Sequence, residues 1–370
     1  MNMNIVEDLN DYLNNLPSTV EVIDISRRQL LVFPDLSRFT HLKVLNCSYN
    51  WFTSLPLLND SLIALDCSKN HLTSLPPLSP FLEILHCEFN QLTALPPIPP
   101  SLKKLFCSNN QLPSLPLLNN SLKHLNCSNN RLTALPPLST ILETLYCHNN
   151  QLTSLPLLKD SLIFVNCSYN QLTLLPPLSM RLQTLCCENN QLTSLPLLND
   201  SLGHLNCCNN QLTSLPPLSP ILETLYCYNN KLTSLPPVNP SLVNLYCYNN
   251  QLTSLRLTNL NSSLKTLYCS NNQLNLLYYP NLVLSSTHLY WNDNPIHDLL
   301  NGRQQNICKF NHFREFYFLS RFKKKFLSWM WKSREERIKE QFHYKHLLKF
   351  ITRCSSDDDL DAFLEDFQSC

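Results

Sequence analysis

"ILETLYCYNNKLTSLPPVNP" (residues 221–240) is followed directly by "SLVNLYCYNNQLTSLRLTNL" (241–260). Set one above the other, the two lines agree at Leu222/Leu242, Leu225/Leu245, Cys227/Cys247, Asn230/Asn250, Leu232/Leu252 and Leu235/Leu255. The same frame extends outward in both directions, so a repeat organises the chain and has to be read before any single element. Leucine returns every twenty residues from Leu42 to Leu242, and from Leu45 onward at the same step with Val165 the one exception. Asn50 recurs through Asn70 and Asn90 to Asn250, and the pair Leu55-Pro56 runs to Leu235-Pro236, where Leu255-Arg256 ends the column. Beyond Leu255 the step becomes 22, through Leu264, Leu267, Cys269 and Asn272, and then Leu289, Trp291, Asn294, Ile296 and Leu299. Counting back 22 from the second coil gives Ile23, Ile25, Arg28, Leu30 and Phe33-Pro34, a first coil without the asparagine. Fourteen coils result, covering about Val20 to Leu300.

A twenty-residue coil cannot bury its leucines alone, so neighbours must stack. In Leu225-Tyr226-Cys227-Tyr228 the alternation is that of a strand, with Leu225 and Cys227 on one side and the tyrosines on the other. The prolines in nearly every coil forbid helix on the return path and favour extended, polyproline-like backbone. The expected fold is an α/β solenoid, mostly β and extended coil. At about 4.8 Å per strand, fourteen coils make an arc of about 65 Å.

The unit L-x-x-L-x-C-x-x-N-x-L-x-x-L-P-x-L resembles the leucine-rich repeat, with cysteine in its third apolar position. Its length and proline tail resemble the short class found in secreted bacterial effectors. Its asparagine- and cysteine-rich wording resembles leucine-rich repeat proteins of giant DNA viruses, mimivirus-like in character. The resemblance covers about three quarters of the chain. It implies a horseshoe with a parallel sheet on the concave side, and it implies no reaction.

Each column invites a reading. The asparagine amide can donate and accept between coils where the chain leaves the strand. Cysteine stands every twenty residues from Cys47 to Cys247 and again at Cys269, with Ile25 and Trp291 in the same position at the two ends. Apolar replacement at the ends fits cysteine acting as a small hydrophobe. A straight row of sulfurs does not offer the tetrahedral set that zinc requires. Distance alone permits disulfides between neighbouring strands, but the parallel side-chain directions oppose them. Cys186 and Cys208 fall at outward positions, so any reactive thiol is expected there, with ordinary exposed cysteines as the other reading. On the outward face, Tyr146, Tyr226, Tyr228, Tyr246, Tyr248, Tyr268 and Tyr290 form the candidate partner-binding set. Tyrosine is enriched at interfaces, and aromatic ladders also stabilise sheets, so both roles stand at this point. The identical "ILETLYC" segments at 141 and 221 and the largely alternating "LPLL" and "LPPL" tails suggest growth by duplication of two-coil units.

Residues 1–19 place Ile5, Leu9 and Leu13 at helical spacing before Pro17, a short cap over the first coil. Residues 301–370 lose proline and hold 14 of the 28 Lys+Arg. An apolar stripe through Leu319, Phe322, Phe326, Trp329 and Met330 predicts a helix, with further helices over 342–351 and 355–367. The segment reads as a helical, basic and aromatic C-terminal cap, with contact to anionic membrane or nucleic acid as the competing reading. The domains expected are therefore 1–19, 20–300 and 301–370.

With 2 glycines, 26 prolines and a formal net charge of +1, the composition argues against phosphate-cradling loops and favours no partner by charge. No export signal and no apolar run of membrane-spanning length is readable, so 17 cysteines point to reduced thiols in an intracellular setting. No Ser/His/Asp, Cys/His or metal-spaced histidine pattern is present, and Cys354 before "SSDDD" lacks Cys-x-Asp spacing. The expectation is a monomeric, non-catalytic scaffold for a protein partner, with no cofactor, metal or nucleic acid. The alternative is an adaptor that brings targets to a host ubiquitin ligase through an end segment.

Overall fold

The computed structural model describes residues 3–257, 264–278 and 288–296. A helix, Met3–Asn15, leads into fourteen three-residue strands that form one sheet, from Val22–Asp24 and Val44–Asn46 to Thr266–Tyr268 and His288–Tyr290. Every pairing is parallel and in register, as Leu225↔Leu245 and Tyr226↔Tyr246 illustrate. Thirteen turns of the solenoid separate the first strand from the last. In most strands the middle residue is buried and its two neighbours lie toward solvent.

The leucine columns and the cysteine column fill the coil interior. Leu222, Leu225, Cys227 and Leu232 are all completely buried, and so are their counterparts in most coils. Asparagine closes the turn. The Asn230 amide donates to the carbonyls of Cys207 and Cys227 at 3.0 and 3.1 Å, and its oxygen accepts from the Leu212 N–H at 2.9 Å. The same bonds recur at Asn90, with Cys67, Cys87 and Leu72. One amide thus satisfies two coils at the place where backbone groups have left the sheet ladder.

The residue before the ladder asparagine has positive φ in every regular coil, from Tyr49 (55°) to Asp293 (55°). Asparagine tolerates this left-handed conformation better than other non-glycine residues, which explains the Asn-Asn doublet in a chain with almost no glycine. Tyr49, Lys69, Phe89 and Tyr169 occupy the same position with φ between 51° and 55°. Bulky side chains adopt that conformation only under strain.

A second, two-stranded parallel sheet pairs Ser254–Arg256 with Leu276–Tyr278. It arises where the repeat loses proline. Pro236 has no N–H to donate, whereas Arg256 at the equivalent position has one, so the segment joins a ladder.

The N-terminal helix buries Leu9 and Leu13 against the first coils. Arg38 reaches the helix C-terminus and donates to the carbonyls of Leu13 and Leu16, a favourable place for a cation. The helices expected within 301–370 and the end of the last coil lie outside the described residues. Among the described residues, no helix is long and apolar enough to cross a membrane.

Candidate functional site on the sheet face

The parallel register places side chains of equivalent residues beside one another on the solvent side of the sheet. Over the last four strands this stacks tyrosines. Ring centroids are 4.6 Å apart for Tyr226–Tyr246, 5.0 Å for Tyr246–Tyr268 and 4.2 Å for Tyr268–Tyr290, with interplanar angles of 16–19°. Two residues further along, Tyr228 and Tyr248 stack at 4.4 Å and 8°. Each such pair is worth about 0.5–1.5 kcal/mol beyond its buried area.

Stacking occupies the ring faces, so the cluster offers ring edges and hydroxyls outward. Burial raises the Tyr226 and Tyr248 hydroxyls above their usual range, and a hydrogen bond with Cys208 does the same for Tyr228. A hydrogen bond with Tyr290 acts likewise on Tyr268. These phenols remain protonated at neutral pH, with the Tyr228 and Tyr268 hydrogens already engaged by Cys208 and Tyr290.

Tyr146 is not part of this cluster. In its column the register runs Tyr146, Asn166, Cys186, Asn206, Tyr226, so three strands intervene. Its ring instead meets Phe164 at 4.6 Å. Spacing alone placed all seven tyrosines on one face, but cross-strand order divides them into six and one.

Among the described residues every cysteine is free, and the twelve of the repeat column are fully buried. Five of these thiols, at Cys67, Cys87, Cys127, Cys167 and Cys207, donate to a carbonyl of the next strand, as in Cys87 Sγ to Phe106 O at 3.4 Å and Cys207 Sγ to Tyr226 O at 3.4 Å. Burial pushes Cys127 and Cys269 up to about 12. A thiol that cannot ionise is neither a nucleophile nor a ready ligand. The expectation for Cys208 needs correction, because it is 1 % exposed, tucked beneath Tyr228. Cys186 is partly exposed, and burial lifts both thiols to about 11, so neither is an activated cysteine. Among the described residues, no group of three or more His, Cys, Asp or Glu converges as a metal site.

The N-terminal half of the same face is dressed differently. Lys43–Glu21 (2.6 Å), Lys103–Glu83 (2.7 Å) and Lys123–Glu143 (3.6 Å) pair across strands. His86 stacks on Phe106 at 4.5 Å and meets Glu88 at 3.2 Å, a pair the repeat pattern did not single out. On the rim, the strained left-handed residues form a cation–aromatic row. Arg27 and Lys69 lie 4.6 and 4.2 Å from the Tyr49 ring centre, and Lys69 lies 5.2 Å from that of Phe89.

A family model described as Leucine Rich Repeat matches residues 121–140. A comparison with curated proteins gives no match. Among solved structures, YopM from Yersinia enterocolitica WA-314 is 33% identical with a TM-score of 0.69, over 76% of this chain and 66% of that one. YopM of Yersinia pestis, a leucine-rich effector protein, is 30% identical with a TM-score of 0.58, over 78% of this chain and 93% of that one. The functional domain of InlJ from Listeria monocytogenes, which includes a cysteine ladder, is 28% identical with a TM-score of 0.52, over 70% of this chain and 69% of that one. With its unbroken parallel ladder, its asparagine turns and these relatives, the chain belongs to the leucine-rich repeat family.

Proposed function

We propose that this solenoid is a non-catalytic scaffold that binds a protein partner on its concave sheet face, centred on Tyr226, Tyr228, Tyr246, Tyr248, Tyr268 and Tyr290, with Tyr146 as an outlying contact. The observation that carries this reading is the tyrosine ladder on a face that has no core to fill, since the leucines and cysteines occupy the other side. Rigid aromatic side chains with polar ends suit recognition. Protonated hydroxyls in a row favour a partner that presents hydrogen-bond acceptors.

The similarity to a Yersinia effector supports a host-directed role. The asparagine- and cysteine-rich wording supports a giant-virus setting, and buried, unpaired thiols suit a reducing, intracellular one. In this reading residues 1–19 cap the first coil, 20–300 are the binding solenoid and 301–370 cap its far end.

The test compares the full chain with a variant carrying Tyr226→Ala, Tyr246→Ala, Tyr268→Ala and Tyr290→Ala, after circular dichroism shows both folded. Proteins captured from a candidate host lysate are quantified by mass spectrometry and the binding constant of each hit is measured. The expected result is at least a hundredfold weaker binding by the variant. Equal affinity would remove the tyrosine face from the account.

A further inference from the structure

The side of the coil opposite the sheet carries a second surface. In ten successive coils, the six positions from 53–58 through 233–238 contain no Asp, Glu, Lys, Arg or His. The fifth of those positions is exposed in all ten coils and is always leucine or proline. Leu57, Leu117, Leu157 and Leu197 are 80%, 80%, 67% and 79% exposed, so they contribute nothing to the core. A contiguous apolar stripe of this kind marks an interaction surface.

We infer that the stripe is a weak self-association surface, and that its occupant is a second copy of this chain in antiparallel orientation. Two observations point to a copy. The stripe offers no charge to steer or hold a charged partner, and none to repel itself. Its pattern is also self-complementary. From residue 97 to residue 197 the exposed column alternates strictly as Pro97, Leu117, Pro137, Leu157, Pro177, Leu197. A two-fold axis between positions 137 and 157 sets Leu157 against the partner's Pro137, Leu117 against the partner's Pro177 and Leu197 against the partner's Pro97. Every protruding leucine then faces a flatter proline, as an isologous interface requires.

The stripe lies on the outside of the bend, so two copies meet over these central coils and splay at their ends. Five steps of about 4.8 Å give a contact about 25 Å long. That is a few hundred Å² per copy, below the roughly 800 Å² per partner of a standard stable interface, so the dimer is reversible. Such a dimer turns the two tyrosine faces away from each other and presents them bivalently.

Sedimentation velocity on the full chain, over a series reaching on the order of 100 µM, tests this in the range where so small an interface associates. The expected result is a reversible shift from one copy to two. Leu157→Asp alone and Pro137→Arg alone each weaken dimerisation at least about tenfold without changing the melting temperature, since both sites are exposed. The double variant L157D/P137R recovers the dimer, because the axis brings Asp and Arg together across copies. A wild-type chain that stays monomeric throughout, a dimer indifferent to both single variants, or no recovery in the double variant overturns the inference.

Discussion

The coils around Leu82–Asn130 and those around Leu222–Asn294 have the same inside and different outsides. In both, leucine, cysteine and asparagine fill the same positions, with Trp291 replacing cysteine in the last coil alone, and the amide bonds of Asn90 and Asn230 agree within 0.1 Å. Outside, the earlier coils carry cross-strand ion pairs, a His–Phe stack and a strained rim, while the later ones carry stacked tyrosines and an amide row such as Asn249 to Asn229 at 2.5 Å. The interior columns therefore specify the coil, and the exterior columns distinguish one region from another. Because a solenoid touches only its neighbours, each region can change its surface without disturbing the rest.

The strongest challenge to this comparison is the asparagine ladder. Asn90→Ala and Asn230→Ala should each destabilise by about 2 kcal/mol in urea unfolding, since each leaves one buried N–H, of Leu72 or Leu212, without its acceptor and removes one of the two amide donors on each of two cysteine carbonyls. The two losses should agree within about 1 kcal/mol. A large disparity would show that the interiors are not equivalent.

The outer face should behave oppositely. Tyr246→Ala loses stacking on both sides and should cost about 1–2 kcal/mol. Asn126→Ala, in the same column between Phe106 and Tyr146 but with no ring of its own to stack, loses only the bonds it accepts from Ser128 and should cost about 0.5–1 kcal/mol. Equal effects would mean that the tyrosine ladder adds nothing to the sheet beyond an ordinary polar contact.

The rim offers a gain. Phe89 holds a φ of 53° that asparagine accommodates at the equivalent place in later coils, so Phe89→Asn should stabilise by about 0.5–1 kcal/mol. The reverse change, Asn229→Phe, should lose a similar amount. If Phe89→Asn destabilises instead, the cation–aromatic row outweighs the backbone strain.

The smallest effect concerns Glu188, which has a buried oxygen without a hydrogen-bond partner and whose carboxyl burial pushes up from its ordinary 4.5. A raised carboxyl binds protons more tightly when folded, so its contribution is favourable at low pH and is lost as pH rises through the folded value. Glu188→Gln should therefore raise the melting temperature by about a degree at pH 7 and leave it unchanged below 4.5.

Much of this was legible in the sequence because a twenty-residue period leaves few folds open. The strand alternation, the inward cysteines and the end of the first helix near Pro17 all follow from spacing and proline chemistry. What stayed hidden depends on φ or on the next coil. The first asparagine of each doublet could be explained only by its left-handed backbone. Cys208 sits at an outward position by alternation, yet the large ring of Tyr228 from the following coil covers it. Tyr146 shares a face with the later tyrosines, and the twenty-residue step already sets Asn166, Cys186 and Asn206 between them, but the step does not show that its ring meets Phe164 instead. The second small sheet needed the observation that Arg256 restores an N–H where proline had removed it.

The central claim is that the repeated thiols are scaffold and that recognition is written beside them. Site-resolved thiol labelling of the native full chain at neutral pH, read by mass spectrometry, addresses it most directly. The account predicts that the cysteines from Cys47 to Cys269 in the buried column stay unlabelled alike in both regions, that Cys186 labels slowly, and that all react once the chain is unfolded. Rapid labelling of Cys227 or Cys247 in the folded protein, ahead of Cys87 and Cys107, would contradict it.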